Sequence, residues 1–347
     1  MSASDETLSG ATPLKPIGGF IGLASADAPP GRTADFGGQH VLQFWNARAA
    51  LAHLLASLGV GRIWMPSYIC GEPALAAAEA GCQVLFYPVG AGLIPDGDVL
   101  ARGLRAGDAV LGVDYFGAPS PVLPDLAQRI PDMTWIQDRA QAPWPDPAPW
   151  GAHILYSPRK VVGAADGGVL VSRDGPVPPP QWAPDPDQSR LEPARLRAED
   201  PLGVHGDIWF PAYRAAEAAM SCAPRPMSNL SRSVIDALDL NAIAARRRRN
   251  AGILLSRVGS AALFQPDRLL AGAPLGVPVL TDDAGAVVAR MARDRVFCAR
   301  HWADLPSPAA DFPAEHALSR RLLTLPCDHR YDDDDMVRVA ETFLARR

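Results

Sequence analysis

Three consecutive pieces of sequence decide the fold, and they read WIQDRAQAPW (135–144), HILYSPRK (153–160) and VVGAADGGVLVS (161–172). In the first piece an apolar run ends on a single acid, Asp138. In the other two a single lysine, Lys160, stands in a tight turn between two further apolar runs. Short apolar runs of this kind are typical of buried strands, so we expect both side chains at the ends of strands of one sheet.

The flanking sequence extends this sheet, because strand and helix patterns alternate from residue 46 onward. The predicted strands cover residues 62–66, 83–89, 108–116, 133–138, 154–157 and 167–172. The predicted helices between them cover residues 46–59, 71–81, 96–104 and 121–130. Such alternation predicts a mainly parallel sheet covered on both faces, with ligands bound at the carboxyl ends of the strands.

The pattern changes after the last of these strands. Residues 174–189 are rich in proline and are predicted to hold no regular structure. Helices are predicted in 191–222 with breaks, in 228–259 as one or two units, and in 282–294 and 333–347; short strands are predicted around 262–265, 276–280 and 322–326. The prediction is an α/β protein with a partly disordered N-terminal segment (1–40), a large domain (41–256) and a smaller C-terminal α/β domain (257–347).

The composition argues against several classes of protein. The 347 residues include 33 basic and 38 acidic side chains, and the net charge of −5 does not favour nucleic acid as a partner. The one basic run, Arg246–Arg249, is expected to form a solvated or subunit-facing turn of a helix. No apolar run approaches the length of a membrane span, and the N-terminus carries acids where a secretion signal carries basic residues.

Five cysteines are widely spread and form no CxxC pair, so neither a disulfide framework nor a zinc site is expected. The histidines show no spacing typical of metal ligands. A reducing, cytoplasmic location is therefore predicted. The patterns HExxH, GxSxG and GxxxxGK[ST] are absent, and no dinucleotide-binding fingerprint follows a predicted strand.

Asp138, Gln141 and Lys160 together have the layout of a pyridoxal phosphate pocket. A lysine amine bonds covalently to the aldehyde of that cofactor, and a carboxylate pairs with the ring nitrogen. Burial between the flanking apolar strands would lower the pKa of this lysine and make it nucleophilic. Two alternatives stay open, because Lys160 could be an exposed turn residue and Asp138 could cap the turn that follows it.

The start of the first predicted helix, NARAAL (46–51), is suited to binding phosphate. Free N–H groups at a helix N-terminus attract anions, small residues let a phosphate approach closely, and Arg48 adds positive charge. An ordinary amphipathic helix with Asn46 as its cap explains the same residues equally well.

Several segments follow the order of a known enzyme family: NARAAL (46–51), MPSYICGEP (65–73), VDYFGAPS (113–120), IQDRAQA (136–142) and SPRKVVGAADGGVLVS (157–172). With these segments the chain resembles the DegT/StrS-type aminotransferases over most of its length. A less-studied branch, often encoded with surface-polysaccharide genes, is similar in PIGGF (16–20), PSYIC (66–70) and YSPRKVVG (156–163). The resemblance implies a three-layer fold-type-I pyridoxal phosphate transferase fold for the large domain.

The resemblance also implies roles for individual residues. Lys160 would bond to the cofactor and then move the proton between the cofactor and the substrate, while Asp138 would keep the ring nitrogen charged. The other implied contacts are Gln141 with the O3′ side of the ring, and Ala47, Arg48 and Ser157 with the phosphate. The implied protein is a cytoplasmic homodimer that transfers an amino group from an amino acid, expected to be L-glutamate, to a keto-sugar nucleotide for amino-sugar or surface-polysaccharide synthesis.

Some positions depart from the family's pattern. The aromatic residue that normally stacks on the cofactor ring aligns with Cys70, so stacking falls to Tyr68 or is absent. The partner-subunit asparagine that usually reaches the phosphate aligns near Pro224, with Arg225 as a substitute. Two rival interpretations follow: a pyridoxal phosphate enzyme with a different reaction or ketone, and a non-catalytic descendant of the fold with a binding or regulatory role.

Overall fold

A computed structural model describes residues 14–24, 36–38, 40–185 and 188–345 of the chain. The N-terminal segment predicted to be disordered falls largely outside these residues. Among the described residues, no helix is both long and apolar enough to cross a membrane.

A seven-stranded sheet forms the centre of the molecule. Its strands are β2 (His40–Phe44), β3 (Arg62–Pro66), β4 (Gln83–Tyr87), β5 (Ala109–Val113), β6 (Thr134–Arg139), β7 (His153–Tyr156) and β8 (Gly168–Ser172), preceded in the chain by the short β1 (Ile17–Gly18). Their spatial order is β2-β8-β7-β6-β5-β3-β4. The strands β3 to β7 are parallel to one another, and β8 is antiparallel to both of its neighbours. The predicted mainly parallel sheet and α/β class are confirmed.

The helices that accompany the sheet are α1 (Ala47–Leu58), α2 (Gly71–Glu79), α3 (Gly97–Gly103), α4 (Leu123–Arg129) and the single turn α5 (Pro158–Val161). In α1 the side chain of Asn46 accepts a hydrogen bond from the N–H of Ala49, and Gly59 ends the helix in the left-handed conformation at φ 62°. The side chains of Ala50 and Leu54 are fully buried against the sheet. An apolar helix face with a cap at each end explains why this segment was predictable.

The strand register brings the ends of three neighbouring strands together. Asp138 on β6 lies opposite Val113 on β5 and Leu155 on β7. Because these strands are parallel, their carboxyl ends open at the same edge of the sheet. The acid at the end of the 133–138 run therefore lies on a shared edge, as the alternating pattern predicts.

The remaining helices and strands pack beside this sheet. They are α6 (Glu192–Glu199), α7 (Gly206–Ala218), α8 (Asn229–Asp236), α9 (Leu240–Val258), α10 (Pro266–Leu270), β9 (Gly276–Leu280), α11 (Ala284–Arg293), β10 (Val296–Phe297), α12 (Pro313–Arg321), β11 (Leu322–Pro326) and α13 (Asp333–Leu344). β9 pairs antiparallel with β11, and β1 pairs parallel with β10. One continuous apolar cluster runs from Ile17 to Phe343. The domain division at residue 257 stays a prediction; it falls inside the last turn of α9.

Three predictions about this second part are wrong. Residues 262–265 form no strand, because Ala262 makes a single bridge to Val279 and Pro266 soon begins α10. The helix α12 was missed because its buried residues are Glu315 and Ser319, which leave no apolar periodicity to detect. The basic run in α9 is not simply solvated, since Arg247 is fully buried.

Candidate active site

A small cavity of about 70 Å³ lies at the carboxyl ends of β5, β6 and β7, beside the start of α1. It adjoins a larger open cavity of about 800 Å³, and Lys160 lines both. Of the residues predicted from sequence, the following line the small cavity: Ala47, Arg48, Asp138, Gln141, Ser157 and Lys160. The structure thus gathers these six residues from three separate segments of the chain.

Lys160 belongs to the one-turn helix α5, where its N–H donates to the carbonyl of Ser157 at 3.0 Å. Its side chain is exposed to the cavities, which agrees with the alternative of an exposed turn lysine. The strands themselves are buried, but the short helix carries the lysine out beyond the end of the sheet. Within the described part of the chain, its ammonium forms no ion pair or hydrogen bond.

Asp138 is half-buried at the end of β6, and the N–H of Ala140 donates to its Oδ1 at 2.8 Å. No described cationic side chain forms an ion pair with this carboxylate. Burial raises the pKa of Asp138, while the N–H of Ala140 and the charge of Lys160 act in the opposite direction. Oδ1 therefore makes the local turn contact, and Oδ2 is available to a partner in the cavity.

Gln141 is oriented by the backbone of the loop that follows β5. The N–H of Phe116 donates to its Oε1 at 2.7 Å, which leaves the amide NH₂ as the group available to the cavity. The loop turns sharply here, because Phe116 and Gly117 have φ values of 56° and 85°. A Cβ on Gly117 would lie 2.6 Å from the carbonyl oxygen of Ala273, so only glycine fits.

The start of α1 is pressed against β8 by the glycine pair. The N–H of Gly167 donates to the carbonyl of Trp45 at 2.8 Å. A Cβ on Gly168 would lie 2.0 Å from the carbonyl carbon of Asn46, closer than any side chain can approach. Ala47 and Arg48, the first residues of α1, line the small cavity, and the first N–H groups of a helix have no acceptor within the helix itself.

The two polar side chains beside the start of α1, Arg48 and Ser157, differ in whether they already have partners. The guanidinium of Arg48 forms an ion pair with Glu72 and donates to the carbonyl of Met220, so its charge is largely neutralised. Ser157 is buried in the cavity wall, and in the described chain its hydroxyl has no hydrogen-bond partner. Of the two, Ser157 is the better placed to contact an anion.

Tyr68 does not line either cavity. It is fully buried, and its hydroxyl donates to the carbonyl of His301 at 2.6 Å. Cys70 lines both cavities, and burial raises the pKa of its thiol, partly opposed by the charge of Lys160. Trp302 also lines both, and nothing in the sequence patterns pointed to it because it lies far along the chain from every site motif.

Two further residues of the larger cavity were missed from sequence. Arg159 forms an ion pair with Glu217 of α7 at 2.6 Å across the cavity wall. His301 accepts from or donates to the hydroxyl of Thr324 at 2.9 Å through Nδ1. Burial and the nearby charge of Lys160 lower the pKa of His301 to about 4, so its imidazole is neutral at pH 7.

The buried guanidinium of Arg247 connects α9 to the lysine helix. It donates to the carbonyl of Val161 at 2.6 Å, and to the carbonyls of Pro274 and Leu275 at 3.1 Å each. Val161 follows Lys160 directly in the chain. The basic run therefore includes a structural residue that fixes the position of α5, which its composition alone does not reveal.

Comparison with protein-family models gives no match, and neither does comparison with the sequences of curated proteins. Solved structures do share the fold. The chain is similar to Spr1654 from Streptococcus pneumoniae in its PLP form, with 15% identity, coverage of 94% of this chain and 92% of that chain, and a TM-score of 0.65. It is similar to DesI, solved in the presence of its TDP-sugar product, with 22% identity, coverage of 88% and 80%, and a TM-score of 0.63.

A third similar structure is a DegT DnrJ EryC1 StrS aminotransferase from Brucella abortus. Its identity to this chain is 16%, the match covers 89% of this chain and 86% of that chain, and the TM-score is 0.61. The resemblance inferred from the sequence motifs is thereby confirmed at the level of the fold. The chain has the fold of the DegT/DnrJ/EryC1/StrS-type aminotransferases.

Proposed function

We propose that this protein is a pyridoxal phosphate-dependent aminotransferase. The observation that carries the proposal is the small cavity, which is lined by Lys160, Asp138 and the first residues of α1. Within the described chain, the Lys160 amine and Oδ2 of Asp138 have no hydrogen-bond partner. An amine, a carboxylate and an anion-binding helix end are the three contacts that such a cofactor needs.

The residues present fit the cofactor. The phosphate would bind at the N–H groups of Ala47 and Arg48 with the hydroxyl of Ser157, and the absence of a Cβ on Gly168 keeps this helix start in place. The carboxylate of Asp138 would hold the ring nitrogen. Since burial raises the pKa of that carboxyl, a positive charge on the nitrogen stabilises the ionised form that the cavity itself disfavours.

When bound, the cofactor supplies an aldehyde carbon and an electron-withdrawing ring, which allow an amino group to leave one substrate and enter another. Lys160 Nζ holds the cofactor and then moves the proton to and from the reacting carbon, acting in turn as base and acid. The neutral amide of Gln141, fixed by Phe116, orients the O3′ side of the ring.

The substrates proposed are an amino acid donor, L-glutamate, and a keto-sugar nucleotide acceptor, with a role in amino-sugar or surface-polysaccharide synthesis. The larger cavity supports this, because about 800 Å³ beside Lys160 exceeds what an amino acid alone requires. The similarity to DesI, a protein solved with a TDP-sugar product, favours a sugar acceptor.

We also propose that the protein is a homodimer and is cytoplasmic. Helix α7 borders the larger cavity and contains no buried residue, while Ile208 and Phe210 on it are 56% and 48% exposed. Apolar surface of this kind is typical of an interface. The cytoplasmic location is supported by five cysteines that are all free.

Two lysines in the whole chain make the test sharp, since Lys15 is the only one besides Lys160. Titration with pyridoxal phosphate should give a visible absorption band, and borohydride reduction should label the peptide that contains Lys160. The variant Lys160→Ala should lose the band and the label, and should lose amino transfer by at least about a thousandfold. Bleaching of the band by L-glutamate would identify the donor.

The matched control is Lys15→Ala, because Lys15 pairs with Asp335 at 2.6 Å and lies outside both cavities. It should retain the band and the label. Absence of any band in the wild-type protein at millimolar cofactor would overturn the enzyme proposal and favour the non-catalytic descendant.

A further inference from the structure

The small cavity has one aromatic wall. Among the described residues that line it, Trp302 is the only aromatic one. Cys70 occupies the place where the family resemblance expects a ring-stacking residue, and Tyr68 lies behind the wall with its hydroxyl on the carbonyl of His301. The aromatic surface of the cavity therefore comes from the C-terminal part of the chain.

Trp302 is held by two buried tyrosines. Its ring centroid lies 5.8 Å from that of Tyr68 and 6.2 Å from that of Tyr115, and the two tyrosine centroids are 6.2 Å apart. These three distances form a nearly equilateral triangle, so the two tyrosines lie in neighbouring directions as seen from the indole. Trp302 is half-buried and lines the cavity.

The tyrosines are themselves fixed. The hydroxyl of Tyr115 donates to the carbonyl of Tyr68 at 2.6 Å, and both rings are almost completely buried. A ring supported in this way loses little conformational entropy when a planar ligand packs against it. The support comes from the segments after β3 and β5, and Ile69, Cys70 and the last residue of β5, Val113, line the cavity beside them.

We propose that Trp302 takes the place of the missing aromatic at position 70 and packs against the ring of the bound cofactor. This inference rests on the proposed function and deepens it, since it assigns the ring-packing contact of the same site. Aromatic rings attract each other in offset or edge-to-face arrangements beyond the effect of the buried area alone. A π-face beside the cofactor also shields its ring from water.

Binding of pyridoxal phosphate, followed by the visible band and by quenching of tryptophan fluorescence, tests the proposal without any turnover. Trp302→Leu, which keeps much of the volume but removes the π-face, should raise the dissociation constant about tenfold or more, by analogy with bases stacked on aromatic side chains. Trp302→Phe should stay within about threefold of the wild type. Thermal unfolding of the cofactor-free variants reports whether they fold.

The matched control is Trp182→Leu. Trp182 is 39% exposed, packs on Phe44 and lines neither of the two cavities at Lys160. It should bind the cofactor as the wild type does.

Rescue separates a direct contact from a structural effect. Cys70 lines the same cavity, so the double variant Cys70→Tyr, Trp302→Leu should recover most of the lost affinity if the cavity needs an aromatic face. The inference would be overturned if Trp302→Leu bound pyridoxal phosphate with wild-type affinity. It would also be overturned if an aromatic residue at position 70 did not restore the lost affinity. If the wild-type protein bound no cofactor, the proposed function itself would fail, and the two failures are thus distinguishable.

Discussion

Residues 46–172 and the C-terminal part of the chain differ in how well their structure can be predicted from the sequence. From residue 46 to residue 172 the elements alternate regularly, and each site residue follows an apolar run or opens a helix. In the C-terminal part the contributions to the site are scattered: Arg247 lies inside a helix, and His301 and Trp302 lie in a segment with no motif. Binding groups at strand ends can therefore be predicted from local sequence. The residues that line the rest of the cavity depend on tertiary packing and cannot.

Substituting Gly168 should have the largest effect on stability and cofactor binding, because this glycine packs directly against the backbone at the start of α1. In Gly168→Ala the new Cβ would meet the backbone of Asn46 at 2.0 Å, and backbone cannot move aside cheaply. We expect a loss of about 3 kcal/mol or more in the free energy of unfolding, together with loss of cofactor binding. Urea unfolding and absorption titration measure the two effects.

The control is Gly61→Ala, where a Cβ would meet nothing within 4 Å. Its stability should change by less than about 0.5 kcal/mol. Equal stability of the two variants would show that the start of α1 is not pressed against β8.

Substituting Arg247 should have an intermediate effect and tests the link between the two parts. Arg247→Met leaves the buried carbonyls of Val161 and Pro274, and the partly buried carbonyl of Leu275, without their donor. We expect a loss of about 2–3 kcal/mol in the free energy of unfolding and weaker cofactor binding, because α5 carries Lys160. Arg248→Met, which removes one exposed contact to Gly272, should cost less than about 1 kcal/mol.

The Arg247 variant shows whether the C-terminal part helps to position the lysine helix. If Arg247→Met lowered stability without affecting the dissociation constant of the cofactor, the lysine helix would be positioned by its own segment alone. The C-terminal part would then only line the cavity and would not position the lysine.

Asp138→Asn should have the smallest effect on stability. Unlike the glycine and arginine substitutions, it should stabilise the cofactor-free protein at pH 7. Burial raises the pKa of Asp138 in the folded protein, so the folded state binds the proton more tightly than the unfolded state, whose pKa is about 3.9. Stability is therefore lost as the pH rises from about 3.9 through the raised folded pKa, and at pH 7 the ionised carboxylate destabilises the cofactor-free protein.

We therefore expect Asp138→Asn to stabilise the cofactor-free protein at pH 7 and to leave its stability unchanged at pH 3.5. The same variant should bind pyridoxal phosphate more weakly, since the ring nitrogen loses its charged partner. Urea unfolding at the two pH values and a cofactor titration measure this. Destabilisation at pH 7 would mean that the contact with the N–H of Ala140 outweighs burial.

Much of the fold and several site residues could be predicted from the sequence, and the errors have identifiable causes. The strand β3 and the helix α1 were predicted nearly to the residue, because an apolar run bounded by proline and a helix bounded by Asn46 and Gly59 are local signals. Residues 262–265 look like a strand but find only one bridge, and α12 buries polar residues. Local composition cannot tell which neighbour an element will meet.

The sequence by itself determined the parallel sheet, the acid at the end of β6, the lysine after β7 and the helix start beside them, because each depends on residues close along the chain. Only the tertiary structure decided that Lys160 is exposed, that Arg48 is paired with Glu72, that Tyr68 is withdrawn and that Trp302 lines the cavity. These features depend on contacts between segments far apart in the chain, such as the hydrogen bond from the Tyr68 hydroxyl to the carbonyl of His301, 233 residues away. Contacts over such separations are set by how the two parts pack together, and no short pattern encodes them.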